Sequence, residues 1–177
     1  LIVTRGTRDV YAIGRGNRPE AYNLFFHRHR PLVPRSLIKE VDGRLLASGE
    51  VYEPLDRGSV KAAAEALAAD GVEAVAVCML HSYVNPEHEK IVGAEIAKTL
   101  PSTYVSLSHE ILREYREYER TSTAVLNAYV GTQVSTYLRA LEQPLTKRGF
   151  DGKFLIMQSN GGVMTAKRAS RVPVGMM

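Results

Sequence analysis

A chain of 177 residues with 45% apolar and 24% charged side chains can fill one folded core, and its charge is too mixed for a disordered chain. The net charge of +4 is modest, and the densest basic stretch, His27-Arg28-His29-Arg30, has no interleaved aromatics on which bases could stack, so no nucleic-acid partner is expected. No apolar run approaches the roughly 20 residues that span a bilayer, the first residues carry no signal-peptide pattern, and the lone Cys78 cannot form an internal disulfide; a cytoplasmic, reducing setting with no membrane contact is the expectation.

Leu1-Ile2-Val3-Thr4 reads as a strand, and the following thirty-odd residues, rich in Arg, Gly and Pro, as turns and short helical pieces ending near Pro31 and Pro34. Between Leu37 and Pro54 the pattern predicts a β-hairpin, with Asp42-Gly43 and Ser48-Gly49 as competing turns; the second leaves a longer first strand and is preferred. From Ser59, a cap candidate, Val60, Ala63, Ala64, Leu67 and Ala68 fall on one helical face, and Gly71 closes the helix. Glu73 to Leu80 is nearly continuous in apolar residues, as a strand buried on both faces requires, and Cys78 within it reads as a small buried hydrophobe. A second helix runs from about Pro86 to Thr99 with Asn85 as its cap, and Thr103 to Leu107 is a short strand. The longest helix starts near Glu117, carries a stripe of Val130, Val134, Leu138, Leu141 and Leu145, and meets Pro144, which should kink or end it before Gly149. Lys153 to Gln158 is the last predicted strand. The alternation predicts an α/β layer with a largely parallel sheet flanked by helices, divided into an N-terminal segment with the β-hairpin (1–56) and an α/β core (57–177). Both ends look cut from something longer, since the chain opens within a strand and closes on Pro173-Val174-Gly175-Met176-Met177.

Three polar clusters follow predicted strands: His81-Ser82, Ser108-His109-Glu110 and Ser159-Asn160-Gly161-Gly162. If the three strands are parallel, all three clusters share the carboxyl edge, where open α/β sheets bind ligands. Each has a structural reading too. His81 can end a strand by bonding a loop, Ser108-His109-Glu110 can be a capping turn, and any sharp turn uses an Asn-Gly-Gly. His81, His88, Glu89, His109 and Glu110 match no standard metal spacing, so no metal site is expected, and no serine sits in a nucleophile elbow. The segment Glu117 to Thr123 opens the long helix with hydroxyls and Arg120, which suits either an anion or ordinary capping.

Longer strings are more specific. Ser108-His109-Glu110 followed by Glu117-Tyr118-Glu119-Arg120-Thr121-Ser122-Thr123-Ala124-Val125-Leu126-Asn127-Ala128-Tyr129, and Met157-Gln158-Ser159-Asn160-Gly161-Gly162, resemble signatures of the hydantoinase A/oxoprolinase family. Thr4-x-Gly6-x-Arg8-Asp9-Val10, Ile13-Gly14-Arg15, Asn17-Arg18-Pro19, Leu32-Val33-Pro34-Arg35, His81-Ser82-Tyr83 and Asn85-Pro86-x-His88-Glu89 follow in the family's order, so the likeness covers essentially the whole chain. The resemblance implies an actin-like, sugar-kinase-like ATPase fold in a larger parent, using ATP and Mg to open a cyclic amide (a hydantoin or 5-oxoproline) through a phosphorylated carbonyl, or to activate a ketone in the carboxylase branch. The family's phosphate loop of Asp-x-Gly-Gly-Thr type would precede Leu1, and its Gly-Pro-Ala-Gly-Gly segment would follow Val174. No tightly bound cofactor and no substantial ATP turnover are therefore expected of this chain alone.

On that resemblance and on strand-end placement, His109 and Glu110 are the acid/base candidates and Arg120 an anion partner, with Asn127, Ser159, Asn160, Gly161 and Gly162 facing the substrate, the glycine turn as backbone donors. The partner would be a small cyclic amide or ketone. The rival reading is an interaction domain that assembles homo- or hetero-oligomers through its long apolar-striped helix.

Overall fold

The computed structural model describes residues 1–17, 20–27 and 29–177. Arg18 and Pro19 of the Asn17-Arg18-Pro19 motif, and Arg28 of the basic stretch, lie outside the described residues. The centre is a four-stranded parallel sheet in the order β2 (Lys39–Val41), β1 (Ile2–Thr4), β5 (Ala74–Cys78), β6 (Tyr104–Leu107). A single helical turn, α1 (Val10–Ile13), follows β1, and both faces of the sheet are covered, as a parallel sheet requires. Ile2, Val75 and Val77 point to one face, where α2 (Arg57–Ala69) and α3 (Glu87–Thr99) bury Val60, Leu67, Val92 and Ile96 against them. Leu1, Val3 and Ala76 point to the other, where α5 (Glu117–Lys147) contributes Ala124, Val125 and Ala128. Alanines on both surfaces let α5 lie close over β5. Over β6, Gly131 makes room for the Tyr104 ring, from which a Cβ would stand 2.3 Å, so any larger residue would have to displace that ring.

The hairpin turns at Ser48-Gly49, as preferred: β3 (Arg44–Leu45) pairs antiparallel with β4 (Val51–Glu53), and Leu46 N donates to Glu50 O at 2.9 Å. Its first strand is not the long one expected. Residues 39–41 join the parallel sheet instead, and Gly43, at φ +137° with Leu55 Cα 2.7 Å from where a Cβ would be, breaks the run. Because β1 and β2 share one sheet with β5 and β6, the ladder runs across the division expected at residue 56. Asp56, not Ser59, caps α2, accepting from Gly58 N and Ser59 N at 3.0 Å each. Ser59 Oγ is then free to accept from Asp42 N at 3.0 Å. Ala68 is exposed rather than part of the buried face. Asn85 Oδ1 accepts from Glu87 N at 3.0 Å at the start of α3.

The largest departure is at the C-terminus. The strand expected from Lys153 is β7 (Leu155–Met157), and it lies outside the parallel sheet. It pairs antiparallel with β8 (Val163–Thr165) and leads through it into α6 (Ala166–Arg171). Leu155 and Met157 are exposed while Ile156 packs inward, a one-sided pattern that a doubly covered sheet would not accept. The second half of α5 supports this lobe through Leu138, which packs with Met164 and Ala169, and Leu141 of the expected stripe stays exposed. Pro144 does not end α5, which runs on to Lys147 before Gly149 turns at φ +79°. Among the described residues no helix is long and apolar enough to cross a membrane.

Candidate functional site

The first two polar clusters do meet at the carboxyl edge of the sheet. Ser82 Oγ, after β5, lies 3.2 Å from Ser108 Oγ, after β6, and both side chains are buried. Ser108-His109-Glu110 does not cap a following helix: the three residues are themselves the first three of the one-turn helix α4 (Ser108–Ile111), which has no side-chain cap and starts directly at the end of β6.

The centre of the edge is a residue weighed from the sequence only as a metal ligand and set aside. Glu89, in the first turn of α3, is fully buried. Its Oε1 accepts from Met79 N at 2.8 Å and from Ser108 Oγ at 2.6 Å. Its Oε2 accepts from His109 N at 3.0 Å and stands 2.6 Å from His109 Nδ1. With both oxygens already acting as acceptors, the imidazole is the donor in the last contact. A neutral ring then carries its proton on Nδ1 and its lone pair on Nε2. A signal for Glu89 existed: α3 starts just after the turn that leaves the carboxyl edge of β5, so its first turn faces that edge.

Arg120 is fully buried at the same edge. Its Nη1 donates to Glu114 O at 2.8 Å and its Nη2 to Met79 O at 2.9 Å; the guanidinium lies 5.3 Å from the Tyr83 ring centroid, and Glu117 Oε1 is 3.9 Å away. Nε has no partner. The side chain therefore ties the start of α5 to the end of β5 through one donor of each terminal nitrogen. Glu117 and Glu119 already place negative charge in the first turn of α5, which disfavours an incoming anion there. Glu119 is engaged by Arg15 at 2.8 Å, and its carboxyl is held below the usual range, by a backbone hydrogen bond and then by Arg15. Cys78 is buried, which pushes its thiol up, and Thr121 Oγ1 donates to its sulfur at 3.1 Å.

Other candidates lie elsewhere. Glu110 faces away from Glu89 toward α6, where Arg171 Nε donates to its Oε2 at 2.8 Å; that hydrogen bond is the main reason its carboxyl sits below the usual range. Asn127 is buried under the C-terminal segment, with Nδ2 near Tyr104 Oη (3.3 Å), Ser106 Oγ (3.2 Å) and Arg171 O (3.2 Å), while its Oδ1 accepts from Val174 N at 3.2 Å. It docks that segment onto the sheet. Ser159, Asn160, Gly161 and Gly162 form the exposed β7–β8 turn, off the parallel sheet. Gly161 N donates to Gln158 O at 3.0 Å and Gly162 N to Asn160 Oδ1 at 2.9 Å, so the two glycine donors are used within the turn, while Ser159 N donates to Gly175 O at 3.1 Å. No group of three or more His, Cys, Asp or Glu placed to hold a metal occurs among the described residues.

Residues 1–100 match the hydantoinase/oxoprolinase N-terminal region, and residues 120–177 match the hydantoinase/oxoprolinase family. An uncharacterised protein of Methanocaldococcus jannaschii is 45% identical over 174 residues, which is 98% of this chain and 25% of that protein. The structure of an ATP-dependent caprolactamase from Pseudomonas jessenii superposes with a TM-score of 0.83 at 31% identity, covering 93% of this chain and 24% of that one. The nucleotide-free structure of an acetone carboxylase, from work on ATP-dependent acetone carboxylation, gives 0.85 at 28% identity, covering 98% and 26%. The chain spans about a quarter of the length of these relatives. The ordered matches along nearly its whole length, on a parallel sheet whose carboxyl edge gathers Glu89, His109 and Arg120, place this chain in the hydantoinase/oxoprolinase family.

Proposed function

We propose that this chain is part of a longer ATP-dependent enzyme that opens a cyclic amide of the hydantoin, 5-oxoproline or lactam type, and that His109, oriented by Glu89, is its proton-transfer group. The observation carrying this reading is the buried Glu89–His109 couple at 2.6 Å. Because Nδ1–H donates to Glu89, Nε2 is the atom left to accept a proton from an attacking nucleophile or to return one to the departing ring nitrogen. Glu110, already neutralised by Arg171, suits that task less well. Arg120 is read as the tie that holds the β5 turn in place, with its buried Nε left unpartnered.

The described residues do not fit a nucleotide. The two glycine N–H groups of the turn that could cradle phosphate are already bonded, and the helix start at Glu117 carries its own carboxylates. ATP, and any Mg with it, would be held by the remainder of the parent, and the chain's own contribution is the acid–base couple and its frame. Similarity of nearly the whole chain to an acetone carboxylase supports a second reading, a subunit of a complex that activates a ketone. Membership of a multi-subunit assembly in the cytoplasm fits either reading.

The test is made in the full-length parent, supplied with ATP and a panel of lactams, hydantoins, 5-oxoproline and ketones. His109→Gln should lower turnover by about 100-fold or more, the usual span for losing a general acid or base, while circular dichroism stays unchanged. Wild-type turnover by that variant would end the proposed role. Ketone consumption with no ring opening would favour the carboxylase reading.

A further inference from the structure

His81 combines two features that folding alone would avoid. Among the described residues it is the one non-glycine with a left-handed backbone, at φ +59°, a conformation in which an L side chain crowds the following carbonyl and which glycine or asparagine adopts more easily. Its Nδ1 is also buried without a hydrogen-bond partner, although buried polar atoms nearly always find one. The ring is held by packing: it meets Tyr83 edge-on, with centroids 6.0 Å apart and an interplanar angle of 69°.

The surroundings impose this conformation from both sides. Before His81, Leu80 N donates to Thr4 Oγ1 at 3.0 Å, and Met79 O accepts from Arg120 Nη2 at 2.9 Å. After it, Ser82 Oγ meets Ser108 Oγ at 3.2 Å, and His81 O accepts from Val84 N at 3.1 Å and Asn85 N at 3.2 Å. A histidine that merely ended the strand would bond the loop through its ring, and Nδ1 makes no such bond. The strain stands at the carboxyl end of β5, an inner strand, beside the turn tied through Ser108 to the Glu89–His109 couple. Over-determined strain of this kind collects where a protein must present a side chain.

We propose that His81 is a substrate-contacting residue: its imidazole, turned from this unsatisfied rotamer toward the edge, hydrogen-bonds the ring amide of the substrate. A neutral imidazole can donate to a cyclic amide's C=O through one nitrogen or accept from its N–H through the other, one contact at a time because the two nitrogens point apart. This rests on the cyclic-amide reading above and adds to it the residue that recognises the amide.

The experiment uses the full-length parent with its cyclic amide and ATP, and the variants His81→Gly, His81→Asn and His81→Gln. Without substrate, the Gly and Asn variants should unfold at the same or a higher temperature than wild type, because both relax the left-handed backbone. With substrate, His81→Gly should lower kcat/KM by about tenfold or more, the size of one lost hydrogen bond. His81→Asn, whose amide reaches the place of Nδ1, should recover part of that loss and exceed His81→Gln. A lower unfolding temperature for both the Gly and Asn variants would make the ring structural and overturn the proposal. So would an unchanged kcat/KM in His81→Gly. In either case loss of turnover in His109→Gln would leave the cyclic-amide reading standing, whereas a wild-type parent inert toward every cyclic amide would overturn both.

Discussion

The turn after β5 and the turn after β7 start from the same kind of sequence, a short apolar strand running into polar residues, and end as opposite environments. At the β5 edge, side chains from β1, α3, α4 and α5 converge, so Glu89 and Arg120 are removed from water and every nearby donor or acceptor matters. At the β7–β8 turn, the strand pairs with its own neighbour, the glycine donors are satisfied within five residues, and the side chains face solvent. A polar strand end becomes chemically useful when other elements desolvate it. A turn that closes on itself has little left to offer a ligand.

That contrast can be attacked where it should be largest. Glu89→Ala strips the acceptor from Met79 N, Ser108 Oγ and the backbone N and Nδ1 of His109 in a buried site, and should cost about 3–5 kcal/mol in denaturant unfolding. A loss below about 1 kcal/mol would mean that water replaces the carboxylate, and the edge would be no drier than the hairpin turn. Asn160→Ala removes one exposed bond to Gly162 N and should cost about 1 kcal/mol or less. A loss as large as that at Glu89 would erase the distinction between the two turns. The smallest effect belongs to the link between the two regions, Glu110 with Arg171. Because the pair lowers the Glu110 pKa in the folded chain, its stabilisation is present above the ordinary carboxyl value of 4.5 and is lost as pH falls through the depressed one. Arg171 is 62% exposed, so solvent holds the contribution to about 1 kcal/mol or less. Unfolding curves of Glu110→Gln and wild type should therefore differ slightly at pH 7 and converge below pH 4.5; a gap that widens in acid would reverse the sign assigned here.

Much of the layer architecture was legible because burial leaves periodic marks. The run from Glu73 to Leu80 shows a strand covered on both faces, and Val60, Ala63, Ala64 and Leu67 show the face that α2 buries. Two of the three polar clusters could be placed on one edge for the same reason. The third could not, because Lys153 to Gln158 carries no mark that distinguishes pairing with β5 or β6 from pairing with the next few residues. Glu89 was hidden differently. At the start of a charged helix it reads as a partner for the helix dipole, and nothing local says that Ser108 and His109, about twenty residues on, turn toward it.

The amino-acid order by itself determined most of the strands and helices before β8 and α6, the family motifs, and the approximate address of the reactive edge, since these follow from apolar spacing, caps and local strings. Tertiary structure decided which residues of that edge are dry and paired. It put His109 on Glu89 and Glu110 on Arg171, although the two are neighbours in sequence, and it spent Arg120 on backbone carbonyls. The physical reason is that desolvation and hydrogen-bond satisfaction depend on what distant elements bring into contact, and period and propensity carry no record of it.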